Sequence, residues 1–448
     1  FKSAGLDWTA TTEIQLDGLV TSTGTVDLTA ALIDVNAGIT AAGQLVDLNA
    51  GATGLTVDGG AITTTGGAAA VGGAIDIDSD GTVAINSNLV TTGGAHGGGV
   101  GRAGGAVTIT TTGAGDTVSI GAGADITTTG TAAAAGVGGA GGLVTINTGN
   151  ALITLNDTAI DTSGGAGAGG GAAGAGGAVT FSDEVELATG TVTITTGATA
   201  GVITFSDVLD SATNRALTLT AGTGDIDFDA NVGNTNALGL VTIASGGTVD
   251  TDGVFKSAGL DWTATTEIQL DGLVTSTGTV DLTAALIDIN AGITAAGQLV
   301  DLNAGANGLT VDGGAITTTG GAAAAGGAID IDSDGTVAIN SNLVTSGGTA
   351  ATVGLAGGAV TITTTGAGDT VSIGTGADIT TTGSAGAGGG VARAGGAGGL
   401  VTIDTNNVLI TLNDTAIDTS GGAGGAGGTQ GAGGAVTFSD EVELATGT

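Results

Sequence analysis

Short segments in which apolar and polar residues alternate recur along the chain, three to a unit, with turns between them. One unit consists of residues 106–112 (AVTITTT), 117–120 (TVSI) and 125–129 (DITTT), followed by a long stretch of glycine and alanine. The alternation places Val107 and Ile109 on one side of a strand and the threonines on the other. Because one such unit cannot bury its apolar side alone, successive units must stack every ~4.8 Å to close a common core. The sequence therefore predicts an all-β fold, a parallel β-helix or solenoid with three strands per rung and glycine-rich loops at one corner.

The composition favours a narrow and regular core. Hydrophobic residues make up 41% of the chain and aromatic residues only 2%, with no Met or Tyr to fill wide interior spaces. No Pro interrupts a backbone hydrogen-bond ladder, and no Cys is present to form disulfides. The alternative is an antiparallel sandwich or a string of Ig-like domains, which needs larger core residues and proline-containing turns. The scarcity of both makes the solenoid the preferred interpretation.

A long repeat encloses the short one. Residues 1–8 (FKSAGLDW) return as residues 255–262, so we expect a first copy over 1–254 and a second, incomplete copy over 255–448, joined as a continuous rod without a linker. The spacing between equivalent residues changes only within glycine- and alanine-rich tracts, around residues 93–105 and 130–142 of the first copy. Loops accept insertions whereas strands in a ladder do not, so these tracts are predicted corner loops, which either pack together or against an adjacent rod or stay flexible.

The charge balance restricts the partners of the chain. It carries 5 Lys and Arg against 42 Asp and Glu, a formal net charge of -37. Such a surface repels nucleic acid and anionic membranes, whereas divalent cations are plausible partners. No apolar run approaches the roughly 18 residues that a membrane-spanning helix requires, so membrane insertion is not expected.

Alternating aspartates suggest one metal site. The IDIDSDG segment of residues 75–81 places three carboxylates before a glycine turn, and the same set recurs in the second copy. Hard oxygen ligands at this spacing make calcium the candidate ion, and the alternative is an outward polar face followed by a turn. The candidate ligands are Asp76, Asp78, Asp80, Asp330, Asp332 and Asp334. No other cofactor is expected.

Other motifs indicate binding or packing rather than catalysis. His96 is the only histidine, which leaves no repeated nucleophile–base pair, and Glu184 with Glu186 is the best candidate for a glycosidase pair. We therefore do not expect an enzyme. Trp8 and Trp262 are expected to fill wider rungs, with a binding patch as the alternative. Outward Thr-x-Thr pairs on the third strand, at residues 63–65 and 127–129, resemble the flat ladders of ice-binding solenoids, although Asp161 interrupts the series one rung further on.

The later part of the first copy carries a family resemblance. Residues 216–228 (ALTLTAGTGDIDF) and 231–243 (NVGNTNALGLVTI) resemble the repeats of giant bacterial surface proteins of the filamentous-haemagglutinin type. The resemblance covers essentially the whole chain and rests on the style of the repeat. It implies a secreted, right-handed parallel β-helix displayed on a bacterial surface. No functional residues carry over, because such repeats share no catalytic motif.

These observations predict a structural or adhesive extracellular fibre, sheath or stalk segment on a bacterial cell surface. The expected partners are other copies, in fibres or lateral bundles, and a cell-surface or glycan target. The alternatives are an ice- or glycan-binding solenoid surface and a polysaccharide-cleaving β-helix. An unbroken outward ladder of Thr or aromatic residues would favour the first alternative, and two carboxylates facing one groove would favour the second.

Overall fold

A computed structural model describes residues 1–349, 352–387 and 392–446. Throughout these residues the regular structure is β-strand, and no helix occurs. The described chain accordingly has no helix that is long and apolar enough to cross a membrane. The protein folds as two compact units, Phe1–Val249 and Asp250–Thr448.

The strands are short, and most of them contain two to five residues. In the first part of the chain they are β1 Lys2–Ser3, β2 Leu6–Thr9, β3 Glu13–Leu16, β4 Val20–Ser22, β5 Val26–Val35, β6 Ile39–Ala41, β7 Val46–Val57, β8 Ile62–Thr63, β9 Ile75–Ser79, β10 Val83–Ile85, β11 Leu89–Val90, β12 Val107–Thr111, β13 Val118–Ile120, β14 Ile126–Thr127, β15 Val144–Asn147, β16 Ile153–Asn156, β17 Ala159–Asp161, β18 Val179–Phe181, β19 Val185–Thr189, β20 Val192–Thr195, β21 Ile203–Phe205, β22 Leu209–Ser211, β23 Leu217–Thr220, β24 Ile226–Phe228 and β25 Leu238–Thr251. In the second part they are β26 Phe255–Leu270, β27 Val274–Ser276, β28 Val280–Ile289, β29 Ile293–Thr294, β30 Val300–Val311, β31 Ile316–Thr317, β32 Ile329–Ser333, β33 Val337–Ile339, β34 Leu343–Val344, β35 Val360–Thr364, β36 Val371–Ile373, β37 Ile379–Thr380, β38 Val401–Asp404, β39 Ile410–Asn413, β40 Ile417–Asp418, β41 Val436–Phe438 and β42 Val442–Thr446.

From β10 to β21, each strand pairs in parallel with the strand three places before it and the strand three places after it. Val107 of β12 lies beside Ile75 of β9 in the preceding rung and Val144 of β15 in the following rung. The same relation links β10 to β13 and β16, and β11 to β14 and β17. These three series define face A (containing β9, β12 and β15), face B (β10, β13 and β16) and face C (β11, β14 and β17). The predicted all-β parallel solenoid with three strands per rung is confirmed.

Some rungs run through the corner between faces A and B without a tight turn. Strands β5 and β7 each cover both faces, and their pairing register shifts between Ala30 and Leu32. In the second unit β28 and β30 do the same, with the shift between Ala284 and Leu286. The pairing is therefore irregular at this corner in equivalent places of the two repeats.

The interior of each unit is the narrow apolar column that the composition predicts. Residues such as Ile77, Ile109 and Ile146 are fully buried, and burying each aliphatic side chain contributes roughly 1.5–3 kcal/mol before entropic costs. Larger side chains stack in their own column, with the rings of Phe181 and Phe205 5.0 Å apart. Phe228 continues the stack in the next rung, 5.4 Å from Phe205.

Candidate functional site

Aspartates occupy the same outward position in successive rungs of face A. In the first unit Asp7 pairs with Asp27, Asp27 with Asp47, and Asp47 with Asp76. The second unit repeats this arrangement with Asp261, Asp281, Asp301 and Asp330. We call each set of four an aspartate column. Neighbouring strands lie ~4.8 Å apart, so each column places like charges close together.

Partial burial and then this crowding raise the pKa of several column carboxyls. The pKa of Asp76 is raised, first by partial burial and then by repulsion from Asp78 and Asp47. The pKa of Asp47 is raised by burial and by Asp27, although the Asn49 amide, which donates to Asp47 Oδ1 at 2.7 Å, opposes the shift. The aspartate columns are therefore surfaces that favour protons or other cations.

The predicted calcium ligands lie along β9 and the turn after it. Asp76 and Asp78 both point outward from β9, and Asp80 lies in the turn that follows. Asp80 already accepts a hydrogen bond from Thr112 Oγ1 at 2.6 Å. In the second copy Thr365 donates to Asp334 in the same way, next to Asp330 and Asp332 on β32. Calcium binding by these residues stays a prediction.

A different set of carboxylates converges. Among the described residues, Asp250, Asp252 and Asp271 are the three whose oxygens all lie within 4.8 Å of one another. The Oδ1 atom of Asp250 is buried without a hydrogen bond, and burial followed by repulsion from Asp252 and Asp271 raises the pKa of this carboxyl. This trio was not predicted from the sequence, although the DTDG segment of residues 250–253 has the same D-x-D-G pattern. With one oxygen from each carboxylate, the trio supplies three of the 6–8 oxygen ligands that calcium takes.

A recess lies at this irregular corner between faces A and B, beside two of the predicted calcium ligands. In the first unit it has a volume of about 600 Å³, with Ala30, Ala50 and Gly51 among its lining residues. Asp78 and Asp80 also line it, together with Thr29 and Asn49. The second unit has an equivalent recess of about 500 Å³, lined by Thr283, Ala284, Ala285, Asn303, Ala304, Gly305, Asp332, Ser333, Asp334 and Thr365. Hydroxyl, amide and carboxylate groups thus surround small apolar side chains in both repeats.

The other candidate residues fall in different places. Glu186 points outward from β19, and Glu184 is exposed at its edge. Their neighbour Asp183 is buried and accepts hydrogen bonds from the N–H groups of Thr148 at 2.5 Å and Asn150 at 2.8 Å. Asp183 therefore holds a turn together rather than facing a groove.

The two tryptophans differ in exposure. Trp262 is buried and packs edge-on against Phe255, with ring centroids 5.1 Å apart, as expected for a side chain that fills a rung. Trp8 is 40% exposed and lies 5.4 Å from Phe1. The packing interpretation is confirmed for Trp262, and the binding alternative remains open for Trp8.

The outward threonines of face C do not form an unbroken ladder. Thr63 pairs with Val90, Val90 with Thr127, and Thr127 with Asp161. The second unit has the same interruption, because Thr317 pairs with Val344. The series is therefore broken at Val90 as well as at Asp161, the one interruption that the sequence indicated.

The threonine between each outward pair points inward and closes the long corner. Thr128 is fully buried, and its Oγ1 donates to the Gly142 carbonyl at 2.7 Å, while the Gly142 N–H donates to the Thr128 carbonyl at 2.6 Å. We call this pair of bonds a threonine clasp. It recurs at Thr64–Gly73, Thr91–Gly105, Thr162–Gly177, Thr318–Gly327, Thr345–Gly358, Thr381–Gly399 and Thr419–Gly434.

The glycine-rich corners are packed. Each corner has an outgoing limb after face C and a returning limb before face A, and limbs of successive rungs hydrogen-bond to each other. Gly138 donates to Ala172 of the next rung at 3.0 Å, and Gly139 donates across its own corner to Thr131 at 2.9 Å. A Cβ atom on Gly139 would overlap the Arg102 carbonyl, so only glycine fits there. We call the stacked limbs of each unit its glycine layer.

Comparison with protein-family models, curated proteins and solved structures yields no match to this chain. The resemblance to filamentous-haemagglutinin repeats therefore stays a prediction. What the fold and these surfaces define is a class of protein, a three-faced parallel β-solenoid with a hydrogen-bonded glycine layer along one corner.

Proposed function

We propose that the chain is a structural and adhesive segment of an extracellular fibre, sheath or stalk on a bacterial surface. One observation carries the proposal: successive rungs pair in parallel and in register on all three faces, as at Ile109, Ile120 and Ile126. Each layer templates the next, so a tandem array gains stability with each repeat that is added. The threonine clasps close the corners, where a protease would otherwise find extended loops.

Immunoelectron microscopy of intact cells tests this proposal. An antibody raised against the purified chain should label filamentous material outside the cell envelope, and antibody preabsorbed with the chain should not. Fibres isolated from those cells should give a meridional reflection near 4.8 Å, the spacing of strands along the solenoid axis. Label confined to the cell interior, or fibres without that reflection, would count against the proposal.

A glycan-binding surface is the second candidate, and the recess supports it. Asp78 and Asn49 offer acceptors and donors for sugar hydroxyls, and the half-exposed methyl groups of Ala10 and Ala31 offer a small apolar surface. Two recesses in one chain would also allow bivalent attachment. A glycan array probed with the whole chain should give hits that weaken at least tenfold when Asn49→Ala and Asn303→Ala are combined. Unchanged binding of those hits would exclude the recess, and an array without hits would remove this candidate.

A further inference from the structure

The hydrogen bonds of the returning limbs repeat every three residues. Gly138 and Gly141 donate to the next rung, at 3.0 and 2.8 Å. Gly139 and Gly142 donate across the corner to the outgoing limb, at 2.9 and 2.6 Å. The second unit repeats the pattern, with Gly395 and Gly398 donating to the next rung and Gly396 and Gly399 donating across the corner. Three residues per turn is the period of a polyproline II strand, so each limb has three distinct sides.

The third side of the returning limb faces away from both neighbours. Val137 is 49% exposed and Leu143 is 54% exposed, and Ala140 between them is also exposed. Within the part of the chain that the structure describes, the N–H groups of Ala140 and Ala397 donate to no backbone carbonyl. This outer side, defined by Val137, Ala140 and Leu143 and their counterparts on the other returning limbs, presents small apolar side chains with backbone donors at a regular spacing.

The outer side differs from the rest of the molecule in its charge. The chain has 42 acidic residues, yet none lies in the long corner segments 66–74, 93–106, 130–143 and 163–178 or in the second-copy segments 319–328, 346–359, 383–400 and 420–435. The same segments contain Arg102 and Arg393, two of the 5 Lys and Arg residues. Two copies of a body with net charge -37 repel each other wherever their carboxylates meet. On the glycine layer, two copies can approach each other without repulsion between carboxylates.

We propose that the outer side of the glycine layer is a lateral docking surface for a second copy of this chain. The occupant is a second copy because its own layer has the same three-residue period along each limb and the same strand spacing between limbs. A layer rich in glycine and alanine also lets two backbones approach closely, as glycine does in collagen. This inference rests on the proposed fibre function and deepens it by naming the contact through which neighbouring solenoids bundle.

Engineered cysteines test the contact, because the native chain contains no Cys. Ala140→Cys places a thiol on the outer side, and Ala122→Cys places one at an exposed corner between faces B and C. Under mild oxidation the whole chain with Ala140→Cys should form disulfide-linked dimers at least tenfold faster than the chain with Ala122→Cys. Equal rates for the two variants would overturn the proposal.

Charge insertion provides a second readout that does not need oxidation. Ala140→Asp combined with Ala397→Asp should weaken self-association at least tenfold in sedimentation equilibrium. The control combines Ala122→Asp with Thr375→Asp, which adds the same charge at exposed positions of another corner and should leave association unchanged. Circular dichroism of both variants checks that the fold is retained. A wild-type chain that stays monomeric at all concentrations would overturn the lateral contact while leaving the surface-labelling test of the fibre proposal intact.

Discussion

Thr128 and Gly142 hydrogen-bond to each other twice, side chain to backbone and backbone to backbone, at the base of a corner that contains 13 intervening residues. The Thr128 side chain is fully buried, so its hydroxyl has exchanged water for the Gly142 carbonyl. The same clasp at the base of the other long corners explains how loops of different length leave the solenoid at one place. Insertions are tolerated beyond the clasp because the clasp fixes the ends of the loop.

Replacing the clasp threonine tests this role. Thr128→Val keeps the shape of the side chain but leaves the Gly142 carbonyl without its hydroxyl donor, so we expect a loss of about 1–2 kcal/mol of stability. The adjacent Thr127→Val is the matched control, because Thr127 points outward at the end of β14. Urea denaturation followed by circular dichroism measures both variants. If the two substitutions change the free energy of unfolding equally, the hydroxyl of the clasp does not stabilise the fold.

A glycine substitution tests whether the layer is packed. Gly139→Ala would force a methyl group into the Arg102 carbonyl, which should cost about 1–3 kcal/mol and expose the corner to limited proteolysis. Gly98→Ala is the control, since a Cβ there meets no atom within 4 Å. Limited digestion with a broad-specificity protease, read by mass spectrometry, locates the cuts. If both variants resist digestion as well as the wild type, the corner is not the close-packed layer described above.

The strands could be predicted from the sequence and the glycine layer could not. Alternation at Val107 and Ile109 places residues inside and outside, and the structure follows it rung after rung. The same rule places Thr128 inside, but threonine is an ordinary outward residue of strands, so nothing in the local sequence marks it as a clasp. In the corners, glycine and alanine are so frequent that a three-residue period is invisible without the hydrogen bonds.

The aspartates show a second limit of sequence reasoning. Asp76, Asp78 and Asp80 are neighbours in sequence, and the structure places Asp76 and Asp78 on the outward side of β9 and Asp80 in the turn that follows. The columns instead join residues of different rungs, such as Asp27 and Asp47, whose spacing in sequence depends on the length of each corner. Only the register of the strands reveals these pairs. The same holds for Asp250 and Asp271, which belong to the carboxylate trio.

The aspartate columns should make stability depend on pH. The pKa values of Asp47, Asp76, Asp281 and Asp330 are raised from 3.8, first by burial and then by neighbouring aspartates. A carboxyl with a raised pKa binds protons more readily in the folded state, so its contribution to stability increases as pH falls through the raised pKa towards 3.8. The pKa of Asp440 is lowered, mainly by the Thr405 N–H, so its stabilisation is present above 3.8 and is lost on acidification.

The Asp76→Asn variant isolates the contribution of the aspartate column to stability from that of carboxyls whose pKa is lowered, such as Asp440. It removes one repelling charge, so the variant should unfold at a higher urea concentration than the wild type near neutral pH. The difference should shrink towards about pH 4, where the carboxyl is neutralised by protonation. Asp229→Asn removes an equal charge from an exposed position outside the column and should have a smaller effect. A larger advantage of Asp76→Asn at acid pH than at neutral pH would contradict the sign of this argument.

Salt should strengthen lateral association. Two chains of net charge -37 that meet through a glycine layer without acidic residues are opposed by long-range repulsion and held together by short-range packing. Raising the ionic strength from about 0.01 M to about 0.15 M shortens the Debye length from about 30 Å to about 8 Å, which screens the repulsion and leaves the packing unchanged. The dissociation constant measured by sedimentation equilibrium should therefore fall at least tenfold over this range. A contact between opposite charges would weaken as the ionic strength rises. Dissociation at higher salt would therefore show that the copies meet through Arg102 or Arg393 and the aspartate columns instead of through glycine and alanine.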